Sequence, residues 1–374
     1  MLRKFWFSIF CCLAFSSIGR SAELYQYGES VRSFGMGGVR IPTSTEPGNF
    51  LWNPAALAFN DGVRVTVFNF GGGLNGTQAV SYAQSFTGAS SGISALSPFY
   101  GKPLWVGGGA YAAAAIPYFG LAYYTSGYLD FILQNPAFPN IDMTYISDYG
   151  TVMGGALPIG RYGAVGLSVK RIVRTGGAQK VGASTLASLS NPTALLDSLQ
   201  NKGSALGFDL GLMFRAEDVP LNPTFSFAWQ DVGSTAFAKI GGAEAPPSIK
   251  DNQTASVTFD ADSFLAGLAA GIEYRHIGNA SEQIGKKLHA GVEMSIPLLD
   301  LRAGFYQGYT TYGLGLDLWL MQMDLSSYTV EKGAYPGQTP DGRIQFGLSV
   351  NLGFNPNFEL VTIGGKGRKV KQRR

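Results

Sequence analysis

From Ile344 to Phe354 the residues Ile344, Phe346, Leu348, Val350, Leu352 and Phe354 alternate with Gln345, Gly347, Ser349, Asn351 and Gly353. One face of such a strand is continuously apolar and the other small or polar. That alternation, over about the 9–11 residues that cross a bilayer as a tilted strand, predicts a lipid-facing and a lumen-facing side. The same reading recurs at Leu206–Phe214, at Phe225–Trp229 and at Leu288–Ile296. Fourteen strands follow from it: Val63–Phe70, Leu104–Ala114, Tyr118–Tyr128, Tyr145–Leu157, Tyr162–Arg174, Ala205–Arg215, Thr224–Gly233, Thr254–Asp260, Phe264–His276, Lys287–Ile296, Leu299–Gly308, Tyr312–Leu318, Met321–Val330 and Arg343–Phe354. The expected fold is all-β, a transmembrane antiparallel barrel of about 14 strands, an even number as bacterial single-chain barrels have. A soluble sandwich also alternates, but strands this long and numerous suit a barrel better.

Connection lengths set the topology. Short links at Ile116–Pro117, Pro158–Arg161, Ala261–Ser263, Pro297–Leu298 and Trp319–Leu320 alternate with long ones at Leu129–Thr144, Thr175–Ser204, Ser234–Gln253 and Glu331–Gly342. Short turns belong to the periplasm and long loops to the outside, which puts both ends of the barrel in the periplasm. Thr77–Phe86 keeps helical spacing through Ala79, Tyr82, Ala83 and Phe86, and Leu186, Leu189, Leu195 and Leu199 mark a second helical pattern. Both are expected as loop helices.

Composition supports the same class. Glycine is abundant (51 residues) and aromatics make up 13%, while charged residues are only 14%, against roughly 25% in soluble domains. The chain opens with Arg3 and Lys4, the apolar run Phe5–Phe15 and small residues to Ala22, the order of a secretory signal, so residues 1–22 are expected to be removed. With them go both cysteines, Cys11 and Cys12, and with these any disulfide, thiol nucleophile or cysteine metal site. The same cut takes Arg3, Lys4 and Arg20 from 28 basic residues and leaves 25, equal to the 25 acidic ones. Six of those, from Lys366 to Arg374, form a dense basic end. The positive charge of the whole chain is therefore a matter of signal and tail, and no nucleic-acid face is implied. Residues 355–374 are expected as a basic periplasmic tail, solvated or in contact with anionic partners.

Ser33–Phe59 shows neither strand nor helix period. It contains Gly35-Met36-Gly37-Gly38, the run Thr43–Gly48 and Trp52-Asn53-Pro54-Ala55. This order resembles the N-terminal hatch of the FadL-like superfamily of outer-membrane barrels, which includes long-chain fatty acid transporters and the PorV-type subunit of type IX secretion. The resemblance is carried by about 25 residues; only a looser barrel likeness covers the rest. It implies that residues 23–61 form a plug inside a barrel of residues 62–354, beneath a hydrophobic binding pocket, with substrate leaving sideways through the wall. Carried over, Asn53, Pro54 and Ala55 hold the plug, and Phe50 or Trp52 packs on the wall or lines the pocket. The residues themselves give a parallel reason: Pro54 fixes its φ, Asn53 can cap the adjacent turn, and Gly37 and Gly38 let backbone press close to the wall. They could equally do no more than fill the lumen.

No catalytic constellation, metal spacing or phosphate loop is visible, so neither enzyme activity nor cofactor is expected. Asp209, His289, Glu293, Arg302 and Asp317 fall on the lumen register, where they are expected to pair with one another or with the plug. His276 is expected at an interfacial rim. Passive uptake of a fatty-acid-like hydrophobic molecule by a monomeric barrel in the bacterial outer membrane, with lipid around it, is the function the resemblance implies. The alternative is a PorV-like docking subunit for secreted or surface proteins.

Overall fold

In the computed structural model, which describes residues 30–42, 47–76, 100–101, 103–135, 140–182, 199–262, 266–318, 320–354 and 360–362, the alternation resolves into one sheet. Its strands are β1 (Val63–Leu74), β2 (Pro103–Ile116), β3 (Phe119–Gln134), β4 (Asn140–Ile159), β5 (Gly163–Val181), β6 (Lys202–Arg215), β7 (Thr224–Gln230), β8 (Ala238–Gly241), β9 (Asn252–Asp262), β10 (Gly267–Tyr274), β11 (Leu288–Ile296), β12 (Leu299–Tyr306), β13 (Tyr309–Leu318), β14 (Met321–Glu331), β15 (Pro340–Phe354) and β16 (Leu360–Thr362). Consecutive strands pair antiparallel, and β1 pairs with β15 from Val63 opposite Phe354 to Leu74 opposite Ile344. The sheet is thereby a closed barrel. Strand β8 is a short addition to β6 inside the β7–β9 connection, and β16 adds to the last residues of β15. The barrel proper has 14 strands, each matching one read from the sequence.

Alternation also decides which way side chains point. On β15, Ile344 and Phe346 are exposed, whereas Arg343, Gln345 and Ser349 are buried. On β6, Leu206, Phe208, Leu210, Leu212 and Phe214 are exposed around buried Asp209 and Met213. Polar side chains inside and apolar ones outside are the reverse of a water-soluble protein, and an outward apolar band is what a bilayer requires.

The short connections 117–118, 160–162, 216–223 and 297–298 share one end with the start of β1 and the end of β15, as the parity argument requires. The expected loop Leu129–Thr144 is a correction: β3 and β4 continue to Gln134 and Asn140, leaving only 135–139 between them. Leu133, Ile141, Met143 and Val181 lie on the outward register of this extension, opposite in parity to the inward Ala122, Tyr124, Val152 and Ile172, and they are buried because they pack together with Leu199. The helical patterns at Thr77–Phe86 and at 183–198, the signal and residues 363–374 lie outside the described residues.

Candidate functional site

The site is built where the N-terminal segment meets the inner face of the barrel. Helix α1 (Val31–Gly35) begins at Ser30, whose hydroxyl accepts from Ser33 N–H while Ser33 Oγ closes the reciprocal contact, a capping box. It packs against β12–β15. Phe34 stacks on Tyr328 with ring centroids 4.1 Å apart and meets the edge of Tyr306 at 5.9 Å. Beside it Arg32 donates to both oxygens of Glu293, at 2.7 and 3.0 Å. The same carboxylate accepts from Arg302 at 2.7 Å, and Arg302 also reaches Asp300 and Asp324. Two of the residues read as lumen charges, Glu293 and Arg302, thus pair with each other and, through Glu293, with the N-terminal segment.

Gly37 and Gly38 follow, with φ of 68° and 86°. Gly37 donates to Thr311 Oγ1 at 2.9 Å, and its carbonyl lies 3.0 Å from His289 Nδ1. A carbonyl only accepts, so Nδ1 of His289 carries the proton. A side chain on Gly37 would strike the backbone of Ala290 and Phe305, and one on Gly291 or Gly304 would strike Met36 or Gly37. Backbone therefore lies directly on backbone. Further along, Arg275 bridges Glu273 at 2.6 Å and the Gly38 carbonyl, and Arg40 N–H donates to the second oxygen of Glu273 at 3.2 Å.

The second piece is seated differently. Residues Pro47–Leu51 and Pro54–Phe59 are two short 3-10 turns joined through Trp52-Asn53. Pro54 takes the first position of its turn, where its lack of an N–H costs nothing. Asn53, completely buried, caps that turn by accepting from Ala55 N–H at 3.0 Å. Its amide donates outward to the carbonyls of Leu212 and Phe227, which face each other across β6 and β7. Gly166 and Gly211 make room for Pro54 and Ala55, while Phe50 and Leu57 rest on Gly120 and Gly154. Around them Ala113, Ala122, Tyr124, Val152, Ile172 and Phe237 form an apolar core inside the barrel.

Asp209 belongs to a third group. Lys170 bridges it at 2.7 Å and Asp231 at 3.0 Å, Ser168 donates to it at 2.8 Å, and Thr235 donates to Asp231 at 2.7 Å. This pins the β7–β9 connection to β5 and β6. Arg174 adds a bidentate pair with Asp148 and donates to Pro247 O at 2.8 Å in the same connection. Asp317 keeps the inward register and stands half-buried near the short-turn end, opposite Gln322. His276 is a correction: it is buried, not at a rim. Its φ of 51° turns the chain inward after β10, and its N–H donates to Asn252 at 3.0 Å. Burial, and then Arg275, Lys287, Arg40 and Lys286 nearby, push it down to about 3. Sequence reasoning missed Arg32, Arg40, Lys170, Arg174, Glu273 and Arg275. Of these Lys170, Arg174 and Glu273 lie on the inward register of their strands, so the alternation that found Asp209 could have found them.

On the outer face, a cleft of about 820 Å³ runs over β6, β7, β9 and β10, lined by Leu212, Phe214, Phe225, Phe227, Val257 and Ile272. Strand pairing beneath it is continuous.

No protein-family model and no curated protein matches the chain. Among solved structures it is similar to the monoaromatic hydrocarbon channel CymD, with TM-score 0.50 and 10% identity over 86% of this chain and 97% of that one. It is also similar to the Ralstonia pickettii toluene transporter TbuX, with TM-score 0.45 and 10% identity over 88% and 98% of the two chains. The Pseudomonas putida toluene transporter TodX gives 0.44 and 14% over 89% and 100%. The likeness to CymD extends over most of both chains, and what it supports is the fold alone.

Proposed function

We propose that this protein is an outer-membrane channel for passive uptake of a hydrophobic small molecule, with residues 23–61 as its plug. The observation that carries the reading is the seat of the N-terminal segment: the barrel's inner face has charges, carbonyls and glycines placed to receive one particular backbone. Phe50, Trp52, Asn53, Pro54, Ala55, Gly37 and Gly38 hold the plug in place, and the apolar surface around Phe50 and Leu57 inside the barrel favours a greasy molecule over water. The apolar outer cleft supports delivery toward lipid. Residues 1–22 as export signal, residues 355–374 as periplasmic tail and a monomeric barrel complete the reading. The role of CymD as a monoaromatic hydrocarbon channel agrees with it.

The test is uptake of labelled toluene and labelled oleate by Gram-negative cells that express the protein, compared with cells carrying a vector alone. Faster uptake of either compound is expected. A correctly inserted barrel that gives none, and that co-purifies in mild detergent with a stoichiometric protein partner, would replace this reading with a docking subunit.

A further inference from the structure

Strand β7 stops short of its neighbour. Its last pairing with β6 sets Trp229 opposite Leu210, although β6 itself begins at Lys202. Beyond that point Val232 N–H donates to Phe208 O at 2.9 Å, and β8 takes up the pairing again with Ala238 opposite Ser204. Between those two places the chain bows into the lumen. Asp231, Gly233 and Ser234 take positive φ, of 51°, 76° and 68°, so the departure from the wall is made in one tight turn. The turn buries Thr235 and Phe237 at the end of the barrel opposite the short connections.

Polar ties hold the root of this connection. Lys170, 2.7 Å from Asp209 and 3.0 Å from Asp231, is buried with both, and Asp231 N–H donates to Asp209 at 2.8 Å. On its underside is an aromatic ring. Phe237 shares the apolar core of Phe50, Leu57, Ala113, Ala122 and Val152, and Ile249 from the far arm of the same connection packs on that core. The remaining hold is slight: β8 meets β6 at three positions with a shift of register, and Gly242 to Ala245 are exposed. A segment fastened by a few side chains, and bare on its outer side, can open while the sheet beneath it stays paired. A few residues that absorb a large change of φ and ψ are the usual form of a hinge.

We propose that residues 231–251 are a lid on the outer end of the lumen, with Phe237 filling the mouth of the apolar core, Lys170 as the latch and 231–234 as the hinge. An apolar solute arriving from outside must displace Phe237 before it reaches the surface around Phe50 and Leu57. Lys170 matters because it is shared: without it Asp209 and Asp231 face each other as buried like charges, and the root of the lid is pushed off the wall. The lid deepens the uptake reading by saying what opens on the outer side, yet it stands or falls on access to the core and not on transport.

The test places a cysteine beneath the lid. With the expected signal removed the chain has no other, so Ala122→Cys can be labelled in intact cells with N-phenylmaleimide, a small apolar probe. Labelling is expected to be slow in this background and roughly a hundredfold faster when Lys170→Met is added. Phe237→Ala keeps the latch and removes the ring, and it should speed labelling by a similar factor, which keeps the test open if Lys170→Met does not fold. Amide exchange in detergent supplies the second readout: Lys170→Met should loosen 231–241 while β9 keeps its protection. Equal labelling with and without these changes would overturn the lid, as would loosening shared equally by β9. Cells that take up neither toluene nor oleate but show the labelling contrast would keep the lid and lose the uptake reading. Uptake with equal labelling would do the reverse.

Discussion

The two described pieces of the N-terminal segment occupy one lumen and are held there by different chemistry. Residues 30–42 meet β10–β14 through Arg32, Glu293, Arg302, Glu273 and Arg275. Residues 47–60 meet β3–β7 through Phe50, Leu57, glycine surfaces and the single amide of Asn53. A buried ionic contact fails abruptly, because removing one partner leaves the other charged, buried and uncompensated. An apolar contact weakens in proportion to the atoms removed. The first piece should therefore let go in one step and the second by degrees.

The hardest test of that contrast is Glu293→Ala, which leaves Arg32 and Arg302 facing each other without their shared carboxylate. Local opening of 30–42 should become easier by about 3–5 kcal/mol, read by amide exchange, while 47–60 keeps its protection. Equal loosening of both pieces would break the comparison. Leu57→Ala should instead loosen 47–60 by about 2–5 kcal/mol, with Leu57→Val between it and the wild type, as a graded contact requires. Asn53→Ala is a smaller change. Loss of the cap should cost about 1 kcal/mol in the same exchange experiment and be felt first at Ala55 and Ala56.

The last effect is silent at neutral pH. His276 is held neutral, down to about 3 against an ordinary 6.5, so the unfolded chain takes up its proton first as the pH falls. The stability this group contributes is complete above about pH 6.5 and is lost progressively toward about pH 3. Denaturation midpoints measured across that window should fall more steeply for the wild type than for His276→Gln. A parallel pair of curves would remove His276 from the account of the first piece's surroundings.

Strand number and facing were legible because lipid enforces period-two alternation, and Ile344–Phe354 displays it without interruption. What was not legible lies where another solvent, or another part of the protein, sets the rule. At Ile141 and Met143 the outward face is covered by Leu199 of a distant connection and not by lipid, so the extension of β4 to Asn140 is set by packing that the order of residues does not display. The Asn53 turn was legible as a cap, yet its reach to the carbonyls of Leu212 and Phe227 was not, since nothing in the order of residues says which strands stand beside it. Arg32 was hidden for a related reason: its partner Glu293 is 261 residues away, and only closure of the barrel brings the two together.

Gly291, Gly304, Gly166 and Gly211 have a consequence for how such a barrel can be altered. They act as a mould, hollow only where Met36, Gly37, Pro54 and Ala55 lie against them. An N-terminal segment transplanted from another barrel would arrive without its own hollows, and one kept in place would be expelled by a single methyl group added to the wall. Segment and wall, distant in the chain, can therefore change only as a matched pair.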